Sequence, residues 1–505
     1  MSLAITQGIS LAGLRGELVT IEVDVAHGLP GYSLLGLPDA ALNESRDRIR
    51  AAMKNSNQEW PNKKVTVSLS PAWLPKSGSG FDLPIAIALL SASEQLQLHQ
   101  FEKTIFIGEL SLEGKLKPIR GILAMVIAAK SNGITRVIVP WENFQEASLL
   151  TDIEVLAFHN LTELLHWFRT GQRVELPSLF AFQEIENSLD VADVAGQRQA
   201  KESIEIAAAG GHHILMMGPP GVGKTMLAER IPSILPPLRE DEALEVTSIH
   251  SIAGTLQQRG TLSKLPPFIA PHHTTTIAAM VGGGSGAIRP GSCSLAHRGI
   301  LFIDEAPECA SGIIDSLRQP LESGVITINR ASGTVTFPAR FLLVLAANPC
   351  PCGRFSGRGR ACECTSLQIR RYLNRISGPL LDRIDLRIDV DAPTRVELSE
   401  DSVRESSSEV RNRVIAARKR AEERYGGKHY RLNSQIPAED LRRDFRAESK
   451  GMQLLHRYLD EANLTARSFH KLLRLAWTIA DLRMRERPTI DEIERAIQLR
   501  GIAER

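Results

Sequence analysis

The sequence predicts an α/β protein in three parts: an α+β domain over residues 1–170, a P-loop α/β domain over 191–391, and a helical domain over 392–505. Residues 171–190 read as a linker. Three observations lead there. An apolar strand at 214–217 runs straight into a glycine-rich phosphate-loop string and then a helix. Strand and helix patterns alternate on both sides of it, and from residue 394 onward the chain is helical and charged with few strand signals. The 505 residues are also too many for one ordinary domain.

Composition narrows the function classes. A chain with 43% hydrophobic and 23% charged residues is a folded, soluble protein. Lys+Arg 60 against Asp+Glu 58 leaves a net charge of only +2, so any contact with nucleic acid must be local. The opening MSLAITQGIS lacks the basic-then-apolar pattern of a secretory signal, and the apolar runs are far shorter than the ~20 residues that span a bilayer. A cytoplasmic protein without membrane contact is expected. Six cysteines, four of them between 350 and 364, point to a metal site in a reducing compartment rather than to disulfides.

In the first domain Val65, Val67 and Leu69 alternate with Thr66 and Ser68 as a half-buried strand does, and 82–93 reads as a buried helix. Further strands are predicted at 104–109 and 136–139, with a helix at 121–130 between them.

The middle domain carries the chemistry. Gly218, Pro219, Pro220, Gly221, Val222, Gly223, Lys224 and Thr225 follow the strand, and a helix is predicted from Met226. This is G-x-x-x-x-G-K-T in the strand-to-helix context that separates a phosphate loop from a chance glycine-rich turn. The glycines let backbone N–H groups curl around a phosphate, and the helix N-terminus adds its positive end. Lys224 is assigned to the β- and γ-phosphates of ATP, and Thr225 to Mg²⁺. A second apolar strand, 300–303, ends in Asp304 and Glu305. Asp304 would complete the Mg²⁺ site and Glu305 would polarise the attacking water; a solvated strand end is the alternative. A third strand, 341–345, leads to Asn348, a neutral side chain suited to orienting water, although Asn-Pro is also an ordinary turn.

The spacing of these motifs resembles the AAA+ ATPases. Ala270-Pro271-His272-His273-Thr274, Gly282-Gly283-Gly284 and Leu380-Leu381-Asp382-Arg383-Ile384-Asp385 are similar to the magnesium-chelatase-like branch, and within it the whole chain resembles the ComM (YifB) family of competence-associated helicases. The resemblance implies that Asn348 is sensor 1, that Arg383 is an arginine finger inserted into a neighbouring subunit's ATP site, and that Arg467 is sensor 2. A salt bridge to Asp382 or Asp385 is the alternative for Arg383, and an ordinary helix-start arginine for Arg467. The resemblance further implies a homo-oligomeric ring, a hexamer in that family's manner, acting with recombination proteins on single-stranded, forked or branched DNA.

Residues 325–337 read as two alternating strands around Asn329-Arg330-Ala331-Ser332-Gly333, a hairpin with Arg330 at its tip; the resemblance puts such a hairpin in a ring's central channel. The insertion at 247–296 has tip candidates at 282–286 and at Arg289, with an ordinary surface loop as the alternative. His212-His213 and His272-His273 are taken as packing or nucleotide-pocket residues. Cys350-Pro351-Cys352 and Cys362-Glu363-Cys364 can surround a structural Zn²⁺ tetrahedrally, with unliganded thiols as the alternative. Between them Arg354, Arg358 and Arg360 would suit phosphate contact. The run Arg411, Arg413, Arg418, Lys419, Arg420 is expected to be a solvated face.

The front domain resembles the Lon protease domain at Pro75-Lys76-Ser77-Gly78-Ser79-Gly80, at 107–114, at 118–121 and at 137–143. Laid against that pattern, the serine nucleophile position falls on Gly80 and the lysine position on Met125, so a scaffold without peptidase chemistry is expected. The favoured function is an ATP-driven DNA helicase or branch-migration motor. A magnesium-chelatase ATPase subunit, an ATP-dependent protease and a nucleotide-switched assembly factor are the competitors.

Overall fold

Alternation of apolar and polar side chains builds the first sheet. In Arg15–Ala26 the side chains of Val19, Ile21, Val23 and Val25 are buried while those between them are not. This strand pairs antiparallel with Ser2–Ala12 and with Lys64–Ser70, and Gly31–Leu35 joins the latter in parallel. Helix Asp82–Ala92 is apolar nearly all round and packs against this sheet. A second sheet has three parallel strands, Thr104–Phe106, Arg136–Pro140 and Glu154–Phe158. The strand predicted at 104–109 is thus divided, because Glu109–Leu110 turns away to pair with Leu116–Lys117. The structure, a computed structural model, describes residues 2–74, 76, 78–97, 102–172, 175–176, 189–256, 262–284, 288–330, 333–355, 362–393, 397, 404–461 and 465–500.

Five parallel strands form the middle sheet, in the order Phe268–Ile269, Ile300–Ile303, Leu342–Ala347, Ile214–Met217, Leu386–Asp389. Ile300–Ile303 and Leu342–Ala347 are buried throughout, as strands covered on both faces must be. Their parallel register sets Ile303, Leu345 and Ile214–Met217 side by side, so the residues that follow the strands emerge at one edge. The helix after the phosphate loop is Lys224–Ile234, two residues earlier than predicted. Gly223, held at φ +94°, makes the turn that lets Lys224 enter the helix directly.

The last part is helical: Ser407–Tyr425, Ala438–Arg443, Ser449–Glu461, Ala466–Leu482 and Ile490–Leu499. Local chemistry sets the ends of the first. Ser406 and Glu409 exchange capping hydrogen bonds at its start, and Gly426 closes it in the left-handed conformation. Its basic run is not the solvated face the sequence suggests. Arg413 pairs with Glu205 at 2.6 Å, Arg411 donates to the Ser233 carbonyl at 2.7 Å, and Arg418 donates to the Ala208 carbonyl at 2.6 Å. Arg411 and Arg418, two helical turns apart, share one face: Arg411 reaches the carbonyl end of helix Lys224–Ile234 and Arg418 that of helix Arg198–Gly210, while Arg413 meets the Glu205 carboxylate. Burial pushes the Arg418 guanidinium down to about 10. Lys419 alone of these keeps to solvent, within reach of Glu423. Among the described residues no helix is long and apolar enough to cross a membrane.

Candidate nucleotide-binding site

Backbone geometry makes the phosphate loop. Gly221 and Gly223 take φ of +81° and +94°, the left-handed region that side chains avoid. Gly218 has a different constraint: a Cβ there would lie 2.3 Å from the Val390 carbonyl oxygen. The loop is therefore held against the neighbouring strand at its start and free to curl at its end.

Four of the predicted residues meet at the sheet edge. Lys224 Nζ donates to the carbonyls of Gly218 at 2.6 Å and Pro219 at 2.9 Å, and to Asn348 Oδ1 at 3.2 Å. Thr225 Oγ1 donates to Asp304 Oδ2 at 2.9 Å. Partial burial lowers the Lys224 amine from its ordinary value against the pull of Asp304 and Glu305. A hydroxyl and a carboxylate in contact are the oxygen donors that suit Mg²⁺, so the residues present fit that ion with a triphosphate.

Glu305 follows in a strained backbone, φ +49° and ψ +42°, which is rare for a non-glycine residue. Such strain is a known companion of functional sites. Its half-exposed carboxylate lies 3.4 Å from His273 Nδ1. Sequence reasoning left His273 open between packing and the nucleotide pocket; its partner is 32 positions away, beyond the reach of any local pattern. Gln197 was missed altogether. It caps the loop, donating to the Val222 carbonyl at 2.5 Å and to that of Asp391 at 3.3 Å.

The cysteine cluster adjoins this site. Cys350 Sγ lies 3.3 Å from Cys352 and 3.6 Å from Cys362, Cys352 lies 3.6 Å from Cys362, and all four sulfurs with Cys364 fall within 4.8 Å of one another. Tetrahedral Zn–S bonds of ~2.3 Å require sulfurs roughly 3.8 Å apart, so the donor set fits zinc. Cys350 is two residues beyond Asn348, and a Cβ on Gly353, inside the cluster, would lie 2.7 Å from Pro220 Cδ in the phosphate loop.

Arg383 and Arg467 stand elsewhere. Arg383 donates to Glu322, not to Asp382 or Asp385, and Arg467 bonds Glu322 at 3.1 Å and Asp382 at 3.0 Å. Among the described residues neither touches the phosphate loop, Asp304, Glu305 or Asn348. The candidate nucleic-acid arginines divide. Arg330 ends strand Val325–Arg330, paired with Gly333–Pro338, and its guanidinium reaches the surface over Gly283; Gly283 pairs with Arg289. Arg330 and Arg289 are exposed and lie on adjoining projections, and Arg354 is exposed beside the cysteines. Arg358, Arg360 and the 285–287 tip lie outside the described residues.

In the front domain Gly80 sits in the turn Ser79–Phe81 before helix Asp82–Ala92, and Met125 is buried among Ile122, Val126 and Ile105. Ser79 is engaged by Glu109 and the buried Lys76 amine donates to the Pro71 carbonyl, so the nearby serine and lysine are each committed to other groups. Ser77 and Pro75 lie outside the described residues. This domain docks on the middle one: Gly121 N donates to Ser251 Oγ at 2.9 Å, and Ser251 in turn donates to Glu146.

A buried polar knot ties the sheet to the last domain. Asp385 pairs with Lys471 at 2.8 Å, and His212 bridges Asp385 and Thr478. His213 accepts the Leu343 N–H on Nδ1 at 3.1 Å. Desolvation pushes His213 down to about 4, against Asp385 and with Lys471 and His212. The unfolded chain takes up that proton near its usual ~6.5, so this contribution to stability is full above that value and is lost as pH falls toward 4. The urea midpoint is therefore expected to fall more steeply between pH 7 and 5 in the wild type than in His213→Gln. Equal slopes in the two proteins would remove His213 as the cause.

Comparison with known proteins covers 99% of the chain. Family models match at residues 21–143 (subunit ChlI of Mg-chelatase), 190–398 (magnesium chelatase, subunit ChlI) and 404–500 (magnesium chelatase, subunit ChlI C-terminal). An uncharacterized protein of Mycobacterium tuberculosis is 46% identical over 99% of both chains. Competence protein ComM of Haemophilus influenzae is 39% identical over 95% of this chain and 94% of its own. The uncharacterized protein YifB of Escherichia coli is 40% identical over 99% of this chain and 98% of its own. The likeness to Lon protease of Desulfovibrio desulfuricans, 26% identity, is limited to 31% of this chain and 19% of that one.

Proposed function

Because the chain belongs to the ComM/YifB family of magnesium-chelatase-like AAA+ ATPases, we propose that it is an ATP-hydrolysing, ring-forming DNA motor, a helicase that extends heteroduplex by branch migration during natural transformation and homologous recombination. The single observation that supports this best is the separation of parts. Lys224, Thr225, Asp304 and Asn348 converge on one phosphate site, while Arg383 and Arg467 lie off it, bound to Glu322. Arginines absent from their own site suit the site of the next subunit in a ring, where a finger is worth about 10³–10⁵ in rate.

In this reading the loop backbone and Lys224 hold the triphosphate, and Thr225 with Asp304 hold Mg²⁺, which supplies neutralisation of the charge that develops on the phosphoryl oxygens. Glu305 takes the proton of the attacking water, Asn348 fixes that water, and Lys224 is kept in line by Asn348. Arg330 and Arg289, exposed on adjoining projections, meet the DNA backbone, with Arg354 and its loop neighbours Arg358 and Arg360 adding phosphate contacts. Zn²⁺ on the four cysteines is structural, and the front domain is a docked scaffold without peptidase activity.

Strand displacement on a labelled branched DNA tests the function, with Lys224→Ala as the blank. Wild type with ATP is expected to displace the strand and its ATP turnover to rise on adding the DNA. Turnover that ignores forked DNA, together with no displaced strand, overturns the motor. The ChlI-type matches support a second reading, an ATPase subunit serving a metal-inserting partner. Stimulation by a porphyrin-binding protein and not by DNA would establish it instead.

A further inference from the structure

Glu322 joins three elements through one oxygen. Its Oε1 accepts from Arg383 Nη2 and from Arg467 Nη2. Arg383 follows helix Gly378–Leu381, Arg467 opens helix Ala466–Leu482, and Glu322 lies in Arg318–Ser323, the helix at the foot of the Arg330 hairpin. That helix is bonded to both feet of the hairpin. Ser323 Oγ donates to the Val325 carbonyl at 2.9 Å, and Ala339 N donates to the Gly324 carbonyl at 2.8 Å. Gly324, at φ +70°, closes the helix just before strand Val325–Arg330.

We propose that Glu322 is a releasable counter-ion. It parks Arg383 and Arg467 until both turn to the γ-phosphate of the neighbouring subunit, and its release then frees the foot of hairpin 325–338 to move. The proposal rests on the ring-motor reading for the arginines' destination and adds the residue that links nucleotide state to the hairpin.

The electrostatics suit a latch that opens. Glu322 is 53% exposed and Arg467 48%, so that ion pair is weak and screened; Arg383 is only 14% exposed and is held more firmly, and Arg467 keeps Asp382 as a second partner at 3.0 Å. Two guanidiniums share one carboxylate oxygen, so each weakens the other's hold. A triphosphate offers more charge and several oxygens in the fork geometry arginine prefers. Arg383 also has a donor to spare, because its buried Nε has no hydrogen-bond partner among the described residues. Its Nη1 stays on the Pro379 carbonyl at 2.6 Å, a pivot that survives the loss of Glu322.

Hydrogen exchange on the full chain without nucleotide reads the latch directly. In Glu322→Gln the amides of Val325 and Ala339 are expected to exchange about fivefold faster than in wild type, with strand Leu342–Ala347 unchanged. Glu322→Asp, which keeps the charge, should restore slow exchange. Basal ATP turnover in Glu322→Gln should rise at an unchanged KM for ATP, and its stimulation by DNA should shrink. An ordinary surface ion pair would move neither readout. Exchange and basal turnover equal to wild type in Glu322→Gln overturn the latch. A wild type that neither assembles with ATP nor responds to DNA overturns the motor instead, so the two failures are distinct.

Discussion

Glu305→Gln is expected to lower ATP turnover by about 10²–10⁴-fold, the worth of a positioned general base, while ATP still binds. The substitution keeps the side chain's size and removes only its capacity to take a proton. The residues proposed to grip the nucleotide are untouched: Lys224 on Asn348 and the loop carbonyls, and Thr225 on Asp304. The strained backbone at φ +49° aims this side chain out beside His273. Turnover and equilibrium binding of a fluorescent ATP analogue, measured on one preparation, check the expectation. Turnover within twofold of wild type would remove Glu305 from the chemistry.

Joint replacement of Cys350 and Cys352 by serine is expected to release the metal and to cut ATP turnover on the order of 10–100-fold, the usual effect of losing a supporting shell. The sulfurs stand 3.3 and 3.6 Å apart, slightly inside the roughly 3.8 Å of a tetrahedral zinc site. Their effect on catalysis follows from adjacency. Cys350 anchors the chain just after Asn348, and Gly353 buttresses Pro220 in the phosphate loop. Without the staple, a loop rich in arginine and glycine has too little apolar surface to hold that contact. Colorimetric zinc release beside steady-state turnover decides it. Protein that carries no zinc when purified with its thiols reduced, or that keeps full turnover after release, would end the proposal.

The sequence expectations divided by range. The strand at Ile214–Met217, the phosphate-loop glycines and the strand ending at Asp304 were legible because each is a short string whose chemistry is local. The cysteine pairs were legible for the same reason. His273 on Glu305 and Gln197 on Val222 were not, since each contact joins residues 25 or more positions apart. The basic run at 411–420 was misread because charge pattern alone cannot tell solvent from the carboxylates and carbonyls of other helices. Arg413 found Glu205 and Arg418 found Ala208 across 208 and 210 residues.

What the sequence determined by itself is therefore the chemistry available: a phosphate loop, paired acids after an apolar strand, four thiols and a basic hairpin tip. What only the tertiary structure decided is which of these groups share a site. Parallel pairing of Leu342–Ala347 with Ile300–Ile303 on one side and Ile214–Met217 on the other brings Asp304 and Asn348 to Lys224 and Thr225. Folding of the last domain brings Arg467 beside Arg383 on Glu322. Backbone hydrogen bonding and burial set those juxtapositions over hundreds of residues, and no local spacing encodes them.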